Sequence, residues 1–258
     1  MLEFVCKKEK KGVSKKTFTV GDVSFTMIFI NGGTYIMGAT ENQISDFDDD
    51  YDEVPIHQVT LSDYYIGETE VTQSLWIAVM GDNPSQFKGK DNPVENVSYD
   101  MCIEFIDKFN LIINRKLGGM RFALPTEAQW EFAARGGNKS CGYKYSGSNI
   151  LDDIAWYEEN SGSTTHPVAQ KQSNELGLYD MSGNVYEWCR DWYGDYLPYS
   201  QTDPTGPIKP DIFMYRAGRI CRGGSFTDNS SKCRVSYRDD AGPSWYSYDI
   251  GFRLALVK

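Results

Sequence analysis

Histidine is nearly missing from this chain: 258 residues hold two, His57 and His166. A metal centre built from three histidines is therefore excluded. The six cysteines are Cys6, Cys102, Cys141, Cys189, Cys221 and Cys233. None has a Cys-x-x-Cys partner, so a zinc knuckle or a thioredoxin-type site has no support. Positive charge is also short. Lys plus Arg is 26 against 36 Asp plus Glu, a net charge of -10. Such a surface repels phosphate backbones, and nucleic acid is excluded as a partner. No apolar run is long enough to cross a bilayer. The start, Met1 to Val5, is too short for the apolar core of a signal peptide. A surface protein would have lost a leader, and any lipid anchor on it, upstream of this start.

What is present describes a loop-rich globular chain. The length suits one large domain or two small ones and is enough to bury a full core. Gly (24) and Tyr (17) are abundant. Residues 1–16 are Lys-rich and read as a flexible tail, leaving a domain over 17–258. Val20 to Phe29 and Tyr35 to Gly38 read as strands, with Asn31-Gly-Gly33 as a hairpin turn between them. Ile44 to Glu53 carries Asp46, Asp48, Asp49, Asp50, Asp52 and Glu53 without EF-hand spacing, which favours a solvated acidic loop over a metal site. Val59 to Ile66 reads as one strand.

Three helices follow. Thr72 is placed to cap Gln73–Met80. Ser98 opens an amphipathic helix with Met101, Cys102, Phe105, Ile106, Phe109, Ile112 and Ile113 on one stripe, stopped by Gly118-Gly119. Thr126 and Gln129 form a capping box for a helix running to Arg135. Beyond Gly136-Gly137 the pattern is turns and short strands. With no repeat and no linker, the fold class is α+β in a single domain, with short antiparallel strands and much irregular structure.

The C-terminal stretch is framed by Arg222-Gly-Gly-Ser225, Cys233-Arg-Val235 and Gly251-Phe-Arg-Leu254. Between these, Tyr, Trp, Phe, Ser, Asp, Asn and Gly predominate. Rigid aromatics mixed with adaptable small polar residues are what a loop-borne binding surface uses. A polar, turn-rich connection between two strands has the same composition.

Specific motifs narrow this. Arg121-Phe-Ala-Leu-Pro-Thr-Glu-Ala-Gln-Trp-Glu-Phe-Ala-Ala-Arg135 resembles the formylglycine-generating-enzyme-sulfatase (FGE-sulfatase) family. So do Gly32 to Gly38, Glu68 to Thr72, Asn92 to Ser98, Gly177 to Trp188, Arg222 to Ser225 and Gly251 to Arg253, in the family's order from about residue 25 onward. The resemblance implies a variant of the C-type lectin fold. It also brings three functional branches. The copper oxidases of the family use two cysteines five residues apart after the Gly-Gly-Ser segment. Here the second falls on Cys233 and the first on Asp228, a hard oxygen donor unsuited to Cu(I). An oxidase would need another partner for Cys233, such as Cys221. The sulfoxide-forming branch needs an iron held by three histidines. His57 and His166 read instead as structural.

In the third branch, variable proteins diversified by retroelements, adenine-directed changes to AAC codons scatter residues over a lectin-type binding face. Phe226, Thr227, Asp228, Asn229, Ser230, Ser231, Tyr237, Asp239, Asp240, Ala241, Gly242, Ser244, Tyr246, Ser247, Tyr248 and Asp249 are reachable from AAC; Lys232 and Trp245 are not. The resemblance therefore implies a non-enzymatic, receptor- or adhesin-like protein at the cell surface. Its variable region spans 225–253, with Phe226, Tyr237, Trp245, Tyr246 and Tyr248 as anchors and an unknown protein or surface molecule as ligand. A fixed structural adhesin module is the other non-enzymatic alternative.

No cofactor is required by this reading. Calcium enters by motif. One set is Asp180 and Glu187 with the Gly183 and Val185 carbonyls. The other is Asp153 and Asn160 with the Ile154 and Gly162 carbonyls. Asp180-Met-Ser-Gly-Asn184 is equally a hydrogen-bonded Asx turn.

Overall fold

The computed structural model describes residues 14–43, 51–113, 117–210 and 217–258. The chain enters as β1 (Lys15–Val20), turns at Gly21 (φ 57°) and returns as β2 (Val23–Ile30). The expected tail therefore ends too late. Lys15 and Lys16 already pair with Ile28 and Met27, because the alternation that buries Phe18 and Val20 starts at them.

Asn31-Gly-Gly33 is not a hairpin turn. β2 pairs with β1 and with β5 (Tyr64–Gly67), whereas β3 (Gly33–Met37) pairs with β4 (His57–Leu61). The glycines serve a close crossing between two sheets. A Cβ on Gly32 would lie 2.2 Å from the Leu61 carbonyl oxygen, and the Gly32 N–H donates to Asp63 Oδ1 at 2.7 Å. The same crossing splits the expected strand Val59–Ile66 into β4 and β5, in different sheets. Of the acidic stretch, residues 44–50 lie outside the described residues. Glu53 is buried and paired with Arg234 at 2.6 Å, so it is not a solvated loop residue.

The three helices lie close to their expected bounds, and their caps carry the reason. The Thr72 hydroxyl accepts from Leu75 N at the start of α1 (Gln73–Met80). Ser98 Oγ accepts from Met101 N at the start of α2 (Tyr99–Ile113). Both capping-box bonds form at α3 (Glu127–Ala134). α2 buries Cys102, Phe105, Ile106, Phe109 and Ile113, but Ile112 is 53% exposed and leaves the stripe. Trp76 stacks on Phe105, and Phe252 meets Phe105 edge-on at 5.3 Å, so the C-terminal segment closes the aromatic core begun by α1 and α2.

The later strands are β6 (Arg121–Ala123), β7 (Tyr186–Trp192), β8 (Gln201–Thr202), β9 (Arg219–Arg222), β10 (Arg238–Ala241), β11 (Ile250–Gly251) and β12 (Ala255–Val257). Among the described residues they complete three sheets, ordered β1-β2-β5-β12-β6, β10-β9-β7-β11 and β3-β4-β8. β10 is an edge strand, and the loop 242–249 leaves from it before the chain re-enters the sheet as β11, parallel to β7.

Candidate functional site

The framing residues of the C-terminal stretch are arginines with buried acid partners. Arg222 binds Glu131 through Nη2 and the Val235 and Ser236 carbonyls at 3.1 and 2.5 Å. Arg234 grips Glu53 at 2.6 and 2.8 Å. Arg238 grips Glu127 at 2.7 and 2.9 Å. Arg253 grips Glu187 at 2.5 and 2.6 Å, and Trp130 Nε1 donates to the same carboxylate at 2.6 Å. Against its burial, Arg238 and then Arg222 pull the Glu127 carboxyl below its usual range. One helix, α3, thus supplies the anions for two clamps. Sequence reading marked Arg222, Arg234 and Arg253 as frame without giving them partners, and passed over Arg238.

Between the clamps, the stretch divides by exposure. Trp245, Tyr246 and Tyr248 are 62, 59 and 43% exposed. Thr227, Asn229, Gly242 and Ser244 are also exposed. Asp228, Ser230, Ser231, Asp239, Asp240, Ala241, Ser247 and Asp249 are half-buried. Two expected anchors are corrected: Phe226 and Tyr237 are 1 and 6% exposed and belong to the floor. Phe226 faces Phe87 edge-on at 5.3 Å, and Tyr237 joins the core beside Tyr186 and Cys221. Tyr248 covers this floor, 6.0 Å from Phe226 and 6.2 Å from Phe87. Asp240, Ala241, Gly242, Ser244 and Trp245 line a shallow hollow of about 440 Å³. Phe87, Glu95 and Tyr186, beneath the loop, were missed by sequence reading. Their place depends on contacts across the fold, such as Asn96 N to the Ser247 carbonyl at 2.9 Å.

The Asp228 carboxylate is spent locally. It accepts from Ser225 N at 3.0 Å and pairs with Lys232 at 3.1 Å. Cys233 is fully buried beside it. Burial, then Asp228, pushes the Cys233 thiol far up, the opposite of what a thiolate metal ligand needs. Cys221 is buried in a separate core cluster, so it is not placed to partner Cys233. Cys141 is disulfide-bonded, and Cys6 lies outside the described residues. His57 Nδ1 donates to the Pro55 carbonyl at 3.1 Å and packs edge-on to Tyr196. His166 stacks on Trp156 at 3.8 Å.

The two calcium sets differ. At Asn160, Oδ1 accepts from Tyr157 N at 2.9 Å while the amide NH2 donates to Asp152 and Ala155. That amide holds its own turn together, which is the alternative to a cation there. Asp153 is exposed, and its carbonyl accepts from Gln172 N. At the other set, Asp180 (φ 57°) accepts from Ala169 N with Oδ2, while Oδ1 is buried without a partner among the described residues. Both oxygens of buried Glu70 likewise have no partner among the described residues. Burial, with Glu187 adding, pushes the Asp180 carboxyl up to about 6. These orphaned oxygens suit a hard cation, whereas Glu187 is already neutralised by Arg253. Among the described residues no group of three or more His, Cys, Asp or Glu side chains is placed to hold a metal.

The sulfatase-modifying factor enzyme 1-like (FGE-sulfatase) family model matches residues 16–258. The chain belongs to that family. Its fold is the C-type lectin-like one that the motifs implied. It superposes on the structure of Treponema denticola variable protein 1 with a TM-score of 0.82 at 36% identity, covering 95% of this chain and 99% of the other. It is 33% identical to the chaperone protein LppX of Paenibacillus barcinonensis, over 92% of this chain and 91% of the relative. It is 35% identical to the formylglycine-generating enzyme of Streptomyces coelicolor over 51% of this chain and 46% of that one. Among the described residues no helix is long and apolar enough to cross a membrane.

Proposed function

We propose that the protein is a non-enzymatic ligand-binding protein of the cell surface whose 242–249 loop, with its half-buried neighbours, is a diversified binding face. The observation that carries this is the exposure of Trp245, Tyr246 and Tyr248 on one short loop between residues clamped by buried ion pairs. Large aromatics on a pre-organised frame bind at low entropic cost. The likeness to a variable protein over nearly the whole of both chains supports the reading. The buried, protonated Cys233 beside a carboxylate argues against copper chemistry.

The diversification half is tested in the DNA. Downstream of the gene we expect a near-copy of the segment encoding Ser225–Arg253, differing at adenines, beside a reverse-transcriptase frame. Its absence would reduce the proposal to a fixed binding module. Calcium belongs to the proposal at Asp180, with the Gly183 and Val185 carbonyls. Calcium should raise the melting temperature over EDTA, and no shift at millimolar ion would remove the site.

A further inference from the structure

Beneath the aromatic rim, three buried polar atoms have no partner among the described residues: Glu95 Oε2, Asp249 Oδ1 and the Tyr186 hydroxyl. Native interiors rarely leave such atoms unpaired. Glu95 is 0% exposed and Tyr186 is 5% exposed. They share one neighbourhood under the loop. Tyr186 N donates to the Asp249 carbonyl at 2.8 Å, and Asn96, next to Glu95, donates to the Ser247 carbonyl at 2.9 Å. The other Glu95 oxygen, Oε1, accepts from Phe87 N at 2.7 Å, and the Phe87 ring meets Tyr248 of the loop, which ties this acid to the floor under the loop. Burial pushes its carboxyl up, and the charge of Asp249 adds to the push.

Two lysines add charge to this neighbourhood, and each is occupied elsewhere. Lys88 Nζ donates to the Asn83 carbonyl at 2.7 Å, and Lys232 Nζ pairs with Asp228 at 3.1 Å. Lys232 also reports the local field. Against its partial burial, Asp228, with Asp239 and Asp249 behind it, raises its pKa. Tyr248 of the loop meets the Phe87 ring edge-on at 6.2 Å.

We propose that this face takes a basic side chain of a protein ligand, a guanidinium or ammonium group, whose donors satisfy Asp249, Glu95 and Tyr186 under the cover of Tyr248. The inference rests on the binding-face reading above. A guanidinium brings five N–H donors and stacks on aromatic faces, so it meets both requirements together. The net charge of -10 steers such a partner toward the protein.

The test is a random peptide display library panned on the intact protein and on Asp249→Asn, Glu95→Gln and Trp245→Ala, with melting curves confirming that each variant is folded. Peptides selected by the native protein should be enriched in Arg and Lys. Their affinity should fall about tenfold or more in Asp249→Asn or Glu95→Gln, the loss expected for a charge-assisted hydrogen bond. Selected peptides without basic residues would overturn the inference and leave the binding face standing. So would basic peptides indifferent to both substitutions, since bridging water then satisfies the buried atoms. No selected peptides, or peptides indifferent to Trp245→Ala, would overturn the binding face itself.

Discussion

At the scale of single residues, buried charge dominates. Arg238 is buried against Glu127, whose other contacts include Tyr196. Truncating one partner of such a pair leaves the other charge uncompensated. Arg238→Ala should cost about 3–5 kcal/mol in chemical denaturation. Asp191 shows the reverse case. Burial, with Glu127 adding, raises its carboxyl to about 7. Between its ordinary value and that one, the folded protein holds a proton that the unfolded chain releases, so stability falls as pH rises through this window. Asp191→Asn keeps an acceptor for the Glu127 N–H, which now donates to Asp191 Oδ2 at 3.0 Å. The variant should match the native protein near pH 4 and exceed it at pH 8, by on the order of 3 kcal/mol. Equal stability at both pH values would sink this account.

At the scale of elements, what was legible in the sequence was what is decided locally. The caps Thr72, Ser98 and Thr126 marked the helix starts because each hydroxyl reaches an N–H within its own turn. Thr126→Ala should therefore cost about 1 kcal/mol, with an unchanged denaturant slope. Strand pairing was less legible. Asn31-Gly-Gly33 has hairpin chemistry, yet its glycines serve a crossing over the β4–β5 segment, and that neighbour is a tertiary fact. The candidate site followed the same rule. Of the five expected anchors, Trp245, Tyr246 and Tyr248 are exposed, but Phe226 and Tyr237 look identical in composition and point inward. The clamps were illegible because Arg222 and Glu131 are 91 residues apart. Since the 242–249 loop contributes little to the core, Trp245→Ala should leave the melting temperature within about 1–2 °C, consistent with a surface change. A large drop would place Trp245 in the core.

At the scale of the whole molecule, the proposed non-enzymatic reading makes a prediction about copper. Cu(I) titration should show no tight stoichiometric uptake, because Cys233 is protonated and buried and Cys221 lies in another cluster. Association with a basic partner should slow with added salt, since steering by exposed charge is screened beyond about 10 Å at 0.1 M, while the contacts to buried carboxylates are screened less.

The strand order has a mechanical consequence. A ligand pulling on Trp245 transmits load along the chain through β11 and Phe252 directly into β12, which is hydrogen-bonded to β5 on one side and β6 on the other. Both pairings are antiparallel, and Arg253 is pinned between them and the loop by Glu187. Tension along β12 must shear two ladders at once instead of unzipping one. The proposed binding face would thus be mounted next to a strand braced on both sides.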